Sequence, residues 1–275
     1  MKLTKPSDVR TLLAALDFHP SRVLGQNFLI DANILNILLD AAELTRRDQV
    51  LEVGPGLGVL TEGLLQRAGS VVAVEKDGRL FQWLEKNFAD FPSLGILHAD
   101  ILDVDLAALL AQGVNKCVAN LPYSVASRFL VDLLNAPQPP ERIVVTVQLE
   151  VAERFAAAPG THDFGLVSVL AQLAYAVRIH KRISSTCFWP PPEVTSAILV
   201  LERRVAPLAV VANRAALLHL LKYCFSKRRK QLGTILREEF STAEKVLGAL
   251  GIPATTRPEQ LSPVEWARLC AALAG

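Results

Sequence analysis

The chain has 275 residues, 51% of them hydrophobic, and its 29 Lys and Arg against 27 Asp and Glu leave a net charge of only +2. That length and apolar content suit one large domain plus a smaller one, and the balance excludes a protein that is strongly basic or acidic throughout. Cys117, Cys187, Cys224 and Cys270 lie far apart, with no Cys-x-x-Cys pair and no Cys/His cluster, so neither a zinc site nor a redox motif is expected, and no metal.

No run of 18 or more apolar residues is present, and "MKLTKPSDVRTLLAAL" lacks the long apolar stretch of a secretory leader. The expectation is a cytoplasmic protein with no membrane partner, its dispersed cysteines packed as ordinary core residues.

In chain order, residues 31–44 place Ile34, Leu35, Leu38, Ala41 and Ala42 on one helical face behind Asp31, a candidate N-cap. Short apolar runs follow at 49–53, 70–75, 94–98, 115–119 and 142–148, each the pattern of a strand buried on both faces. Helical spacing occupies 59–68, 77–88, 124–135 and 149–158. Strand and helix in repeated alternation predict an open parallel sheet covered on both sides.

Two further strands are expected at 175–182 and 195–202, antiparallel because a proline-rich loop rather than a helix joins them. From about residue 204 only helices are expected, at 213–225, 227–239, 242–249 and 262–273, with Asn213 and Ser226 as N-caps. The domain boundary is set there, giving residues 1–203 and 204–275. Charge is segregated as well: residues 201–240 hold nine Lys or Arg and three acids, a net +6, which leaves −4 for the rest.

Chemistry gathers at strand ends. Gly54, Gly56 and Gly58 stand between the first strand and the next helix, where glycine lets the backbone approach a ligand. They do not fit a nicotinamide dinucleotide fingerprint, because the third glycine comes one residue early and Val59 stands where Gly or Ala is required. Glu75, 21 positions after Gly54 at the end of the second strand, is placed to accept both ribose hydroxyls of an adenosine. Asp100 follows the third strand and suits an adenine amine, although alone it reads as a helix cap. Asn120 ends the fourth and opens "NLPY" (120–123), which in isolation is a turn. Four such signals at four successive strand ends mark one ligand-binding edge.

Together, "LGQNFLID" (24–31), "LEVGPGLG" (51–58), "VEKD" (74–77), "HADIL" (98–102) and "NLPYS" (120–124) resemble the ribosomal RNA adenine N6-dimethyltransferase family. "CFWPPPEVTSAI" (187–198), "FSKRRKQL" (225–232) and "RPEQLSPVEWARL" (257–269) extend the resemblance over nearly the whole chain, toward the branch acting on two adjacent adenines near the 3′ end of small-subunit (16S) rRNA.

The resemblance implies a class I (Rossmann-like) α/β fold with a mostly parallel seven-stranded sheet, a small C-terminal all-helical domain for RNA recognition, and S-adenosyl-L-methionine as cofactor. It implies that Asn27, Leu29, Gly54, Gly56, Glu75, Asp100 and Asn120 bind the cofactor. The expected partner is the small ribosomal subunit precursor, met by a monomer. Two positions depart from the family pattern: Ser124 where Asn or His is common after "NLPY", and Leu166 where an Arg is common. Related alternatives are the large-subunit methyltransferases of macrolide resistance and a non-catalytic assembly factor of the same fold.

On this reading Asn120 Oδ1 and a carbonyl near Leu121 or Pro122 accept the two N–H bonds of the adenine amine, Pro122 stiffens that backbone, and Tyr123 stacks on one purine face with Phe188 on the other. Lys227, Arg228, Arg229 and Lys230, expected in the first turn of a helix where they oppose its macrodipole, are read as phosphate contacts, with Lys181 and Arg182 extending the track.

Overall fold

A computed structural model of the chain describes residues 3–20 and 25–274, so Leu24 of the "LGQNFLID" motif lies outside the described residues. In chain order the elements are α1 (Pro6–Ala15), β1 (Phe28–Leu29), α2 (Ala32–Ala41), β2 (Gln49–Val53), α3 (Val59–Leu65), β3 (Ser70–Glu75), α4 (Gly78–Asn87), β4 (Leu94–His98), α5 (Leu106–Leu110), β5 (Lys116–Asn120), α6 (Ala126–Asn135), β6 (Arg142–Gln148), α7 (Leu149–Ala156), α8 (Leu166–Ala174), β7 (Tyr175–Ile183), β8 (Phe188–Trp189), β9 (Ser196–Arg203), α9 (Arg214–Ser226), α10 (Leu232–Arg237), α11 (Ala243–Ala249) and α12 (Pro263–Ala274).

Among the described residues seven strands form one sheet in the order β4-β3-β2-β5-β6-β9-β7. The pairs β4–β3, β3–β2, β2–β5 and β5–β6 are parallel, and β9 runs antiparallel to β6. Strand order reverses between β2 and β5, and such a switch point opens a crevice at the carboxyl ends of the strands. β5 and β6 are buried almost from end to end, which is why they read as unbroken apolar runs.

At the opposite end of the sheet two buried cations close the carbonyl end of α2. Lys116 Nζ donates to the Ala42 carbonyl at 3.1 Å and pairs with Asp48 at 3.1 Å. Arg142 donates to the Ala41 carbonyl at 3.1 Å and pairs with Glu43 at 2.7 Å. Cations there complement the helix dipole, and their acidic partners make the burial tolerable. Asp31 caps the other end of α2 as expected, accepting from the Ile34 N–H at 2.9 Å.

The chain divides into two compact units. The first runs up to Ala152 and adds Arg178–Glu202; the second comprises Glu153–Val177 and everything from Arg203 onward. Residues 153–177 therefore pack with the C-terminal helices rather than with the first unit, unlike the single cut expected at 203/204. The second unit closes on Trp266, Phe164, Leu220, Leu221, Ile235 and Leu236, all but fully buried. Leu166, the departure from a common Arg, packs its half-buried side chain against this core. No helix of the described residues is long and apolar enough to cross a membrane.

Five elements were not anticipated: the helices α1, α5 and α8 and the two-residue strands β1 and β8. The helix expected over 227–239 is also different. Ser226 is the last residue of α9, not an N-cap, and its hydroxyl donates back to the Tyr223 carbonyl at 2.7 Å. Residues 227–231 form a turn, and α10 begins only at Leu232. The run "KRRK" offers no apolar face to bury, whereas Leu232, Ile235 and Leu236 do. Its cations follow a helix C-terminus, so the expected conflict with a macrodipole does not arise.

Candidate active site

One cavity at the switch-point edge is lined by every residue expected to bind cofactor, namely Asn27, Leu29, Gly54, Gly56, Glu75, Asp100 and Asn120, and also by Leu121, Pro122 and Tyr123. All belong to the first unit.

The glycine loop follows from its neighbours. Gly54 sits at φ +66°, and a Cβ there would lie 3.0 Å from the Pro122 ring, so glycine lets "NLPY" close on the loop. The Phe28 ring covers Gly56 at a similarly short approach, 3.0 Å from where its Cβ would stand. Phe28 belongs to an apolar cluster in which α1 contributes Val9, Leu12 and Leu13, so the unanticipated helix backs the wall of the cavity.

Glu75 ends β3 and is 5% exposed. Its Oε2 accepts from the Gly56 N–H at 3.1 Å and its Oε1 from the Asp77 N–H at 2.9 Å. Burial pushes its pKa up, while these backbone donors pull it back. Each carboxylate oxygen keeps a second lone-pair direction for a further donor. Asp100 does two tasks. Its Oδ1 caps a short helical turn through the Leu102 N–H at 3.0 Å, and its Oδ2 accepts from Lys76 Nζ at 2.7 Å, which holds its carboxyl below the ordinary range.

Residues 25–29 form a strap along the cavity. Gly25 lies at φ +66° with its Cβ direction only 2.9 Å from the Tyr123 backbone nitrogen. Asn27 Nδ2 donates to the Gly25 carbonyl at 3.2 Å, and the Asn27 carbonyl accepts from Asn120 Nδ2 at 2.9 Å. β1 then pairs with β8, Phe28 opposite Trp189 and Leu29 opposite Phe188.

That pairing corrects one expectation. Phe188 is 1% exposed, within the core that also holds Leu29 and Ile34, and it does not line the cavity. Alternation along β8 turns Phe188 inward, so it is not placed to stack on a base.

Around "NLPY" the main chain sorts its own acceptors. Leu121 N–H donates to the Thr146 carbonyl at 3.2 Å. The Pro122 carbonyl is engaged by Val125 and Ala126 N–H at 3.1 and 3.2 Å, as the turn into α6 begins. No hydrogen bond among the described residues reaches the Leu121 carbonyl or Asn120 Oδ1. The Tyr123 ring is half-buried, and its hydroxyl meets Ser196 Oγ at 2.5 Å. Ser124, the other departure, is exposed.

Glu52 also lines the cavity and was not singled out from sequence. It is 1% exposed, accepts from Thr61 Oγ1 at 2.7 Å, and burial raises its pKa to about 8. The signal for it was a lone acid inside an apolar strand.

The expected RNA contacts are placed elsewhere. Lys181 and Arg182 are exposed on β7, the edge strand of the sheet. In the 227–231 turn, Lys227 pairs with Glu238 and lies 4.1 Å from the centre of the Tyr223 ring, and Lys230 reaches Glu238 at 3.3 Å. Arg228 donates to the His162 carbonyl at 2.5 Å, and Arg229 is exposed.

Known proteins resemble the chain over most of its length. Residues 18–274 match the family described as Ribosomal RNA adenine dimethylase. A protein of Opitutus terrae called Ribosomal RNA small subunit methyltransferase A is 40% identical over 98% of each chain. One of the same name from Geobacillus kaustophilus is 37% identical over 99% of this chain and 97% of its own. Among solved structures, a dimethyladenosine transferase from Plasmodium falciparum shares the fold with a TM-score of 0.75 at 24% identity, over 88% of this chain and 95% of that one. The 23S rRNA methyltransferase ErmE aligns with a TM-score of 0.68 at 26% identity, over 90% of this chain and all of that one. The chain belongs to the ribosomal RNA adenine dimethylase family of S-adenosylmethionine-dependent rRNA adenine N6,N6-dimethyltransferases.

Proposed function

We propose that the protein transfers methyl groups to N6 of two adjacent adenines near the 3′ end of small-subunit (16S) rRNA, acting as a cytoplasmic monomer on a small-subunit precursor. The substrate follows the names of its near full-length relatives. One observation carries the chemistry: Asn120 spends its amide N–H on the Asn27 carbonyl, which leaves Oδ1 and the Leu121 carbonyl as two open acceptors at one cavity edge.

The cavity suits the cofactor. Glu75, Asp77 and Asp100 line it with Lys76 as their cationic companion, a set that favours a positively charged adenosyl compound with a diol and an amine. We assign Glu75 to the ribose hydroxyls, Asp100 to the adenine amine, Gly54 and Gly56 to close backbone approach, and Asn27 and Leu29 to the covering strap. When bound, S-adenosylmethionine supplies an electrophilic methyl on a sulfonium.

The protein's part is alignment. The adenine amine is a weak nucleophile because its lone pair is drawn into the ring. Two acceptors, Asn120 Oδ1 and the Leu121 carbonyl, take its two N–H bonds and favour a pyramidal nitrogen with its lone pair directed away from them. As positive charge grows on nitrogen the same fixed dipoles stabilise it. Pro122 packed on Gly54 holds that backbone in place. Tyr123 supplies a stacking face, a contact of about 1–3 kcal/mol per base. Alignment then carries most of the rate: the methyl leaves behind a neutral thioether, and the cationic amine it forms is acidic enough to give its proton to water, so no strong general base is needed.

The test is methyl transfer from labelled S-adenosylmethionine to purified small subunits lacking the modification, beside large subunits. Dimethyladenosine in small-subunit RNA, lost on Asn120→Ala, supports the reading. Label confined to large-subunit RNA overturns the substrate assignment. Cofactor binding without any transfer overturns the activity.

A further inference from the structure

We propose that Ser196 is a positioning residue for methyl transfer, its hydroxyl fixing the Tyr123 ring at the cavity wall where the target base docks. The inference rests on the proposed function, in which Tyr123 meets the base.

The two residues are 73 positions apart, and their hydroxyl oxygens lie 2.5 Å from each other. Ser196 opens β9 and is fully buried. Its place is set by main chain on both sides: it stands in register with Gln148 of β6, and the Leu149 N–H donates to the Thr195 carbonyl at 2.9 Å. The anchor is therefore part of the sheet, whereas Tyr123 stands in the loop between β5 and α6.

A tyrosine ring turns about two side-chain torsions. Holding the phenol oxygen, the atom farthest from the backbone, fixes the direction in which the ring projects, and the in-plane preference of the phenol O–H bond favours one orientation of the ring face. Near the other end, the Tyr123 backbone nitrogen is approached by Gly25, so the residue is held at its root and at its tip with the ring spanning between. Burial keeps the phenol pKa above its ordinary value, so the hydroxyl remains protonated and able to share a hydrogen bond. Among the described residues Tyr123 is the hydrogen-bond partner of the Ser196 side chain, and Tyr123 lines the cavity while Ser196 does not. A ring already oriented before the base arrives loses less freedom on contact, and that gain appears in the transfer step rather than in cofactor binding.

The experiment is a double-mutant cycle on the full chain. Wild type, Ser196→Ala, Tyr123→Phe and the double variant are compared in single-turnover transfer to unmethylated small subunits, with cofactor Kd and Tm measured beside it. Each single variant is expected to slow transfer by about threefold to tenfold, the worth of one neutral hydrogen bond. Cofactor Kd should stay unchanged. The double variant should be no slower than the slower single, because both remove the same bond. Ser196→Thr, which keeps the hydroxyl, should recover most of the rate.

Losses that multiply in the double variant would overturn the proposal, as would a fall in Tm with unchanged transfer per folded molecule. Tyr123→Phe probes the same bond from its exposed end without touching the strand. Unchanged transfer by that variant overturns the proposal even if Ser196→Ala fails to fold. Failure of the underlying reading is separate, since it would appear as wild type leaving small-subunit RNA unlabelled.

Discussion

Asn120 Nδ2 donates to the main-chain oxygen of Asn27 at 2.9 Å, joining the end of β5 to a segment 93 residues earlier. The bond decides which way the amide faces, because a carbonyl partner can be met only by its N–H side. Asn120→Ala should lower transfer by about 10²–10³, the usual cost of one group aimed at developing charge. Asn120→Asp should do further harm, because both variants lose the donor to Asn27 and the carboxylate in addition repels the Asn27 carbonyl and pushes the strap away. Calorimetric titration with S-adenosylmethionine checks this: the Asp variant should bind cofactor more weakly than the Ala variant.

Gly25 gives a second prediction. With φ at +66° and its Cβ direction 2.9 Å from the Tyr123 nitrogen, Gly25→Ala meets both backbone strain and a collision. A cost of about 1–3 kcal/mol is expected locally, spent in lifting the strap off "NLPY". KM for the cofactor should rise and kcat fall together, with Tm lowered only slightly. A large fall in Tm with normal KM would contradict the strap's role.

Glu52 makes stability depend on pH. Its carboxyl pKa is raised from 4.5 to about 8 by burial, so the folded chain holds this proton where the unfolded chain has released it. The contribution is full below about pH 4.5 and is lost as pH rises through 8. At about 1.4 kcal/mol per unit, the loss is on the order of 3–5 kcal/mol. Glu52→Gln removes the titration and keeps an acceptor for Thr61. Urea unfolding between pH 5 and 9 should show the variant gaining on wild type up to about pH 8 and then level. A constant difference across that range would refute it.

The basic turn should divide its labour. Glu238 partners both Lys227 and Lys230, which hold its carboxyl near a pKa of about 2. Arg228 and Arg229 therefore carry more of the turn's unbalanced charge. Replacing both by Gln should weaken RNA binding and reduce the slope of log affinity against log salt by about 1.4–1.8. Replacing Lys227 and Lys230 should change the slope less, since Glu238 already engages both cations. Filter binding across a salt series distinguishes the two.

What the sequence disclosed depended on how local each cause was. The strands at 49–53, 70–75 and 142–148 stand where their apolar runs lie, because a strand buried on both faces needs no information beyond itself, and the run at 94–98 is found too although it forms an edge strand with no buried residue. Gly54, Glu75, Asp100 and Asn120 were legible because each marks a strand end. α8 was hidden, since "LVSVLAQLA" has little polar face and runs directly into β7. Phe188 looked available beside its prolines, but a two-residue ladder with β1 turns it into the core. The partnership of Tyr123 with Ser196 had no local signal, because it exists only once β9 lies beside β6.

That two-residue ladder has a bearing on turnover. Phe28 and Leu29 hold the cavity's cover to Trp189 and Phe188 through a pairing too short to be stable alone. Dimethylation of one adenine consumes two donor molecules, so the spent one must depart before the second transfer. A hem two residue pairs wide costs less to unfasten than the seven-stranded sheet behind it.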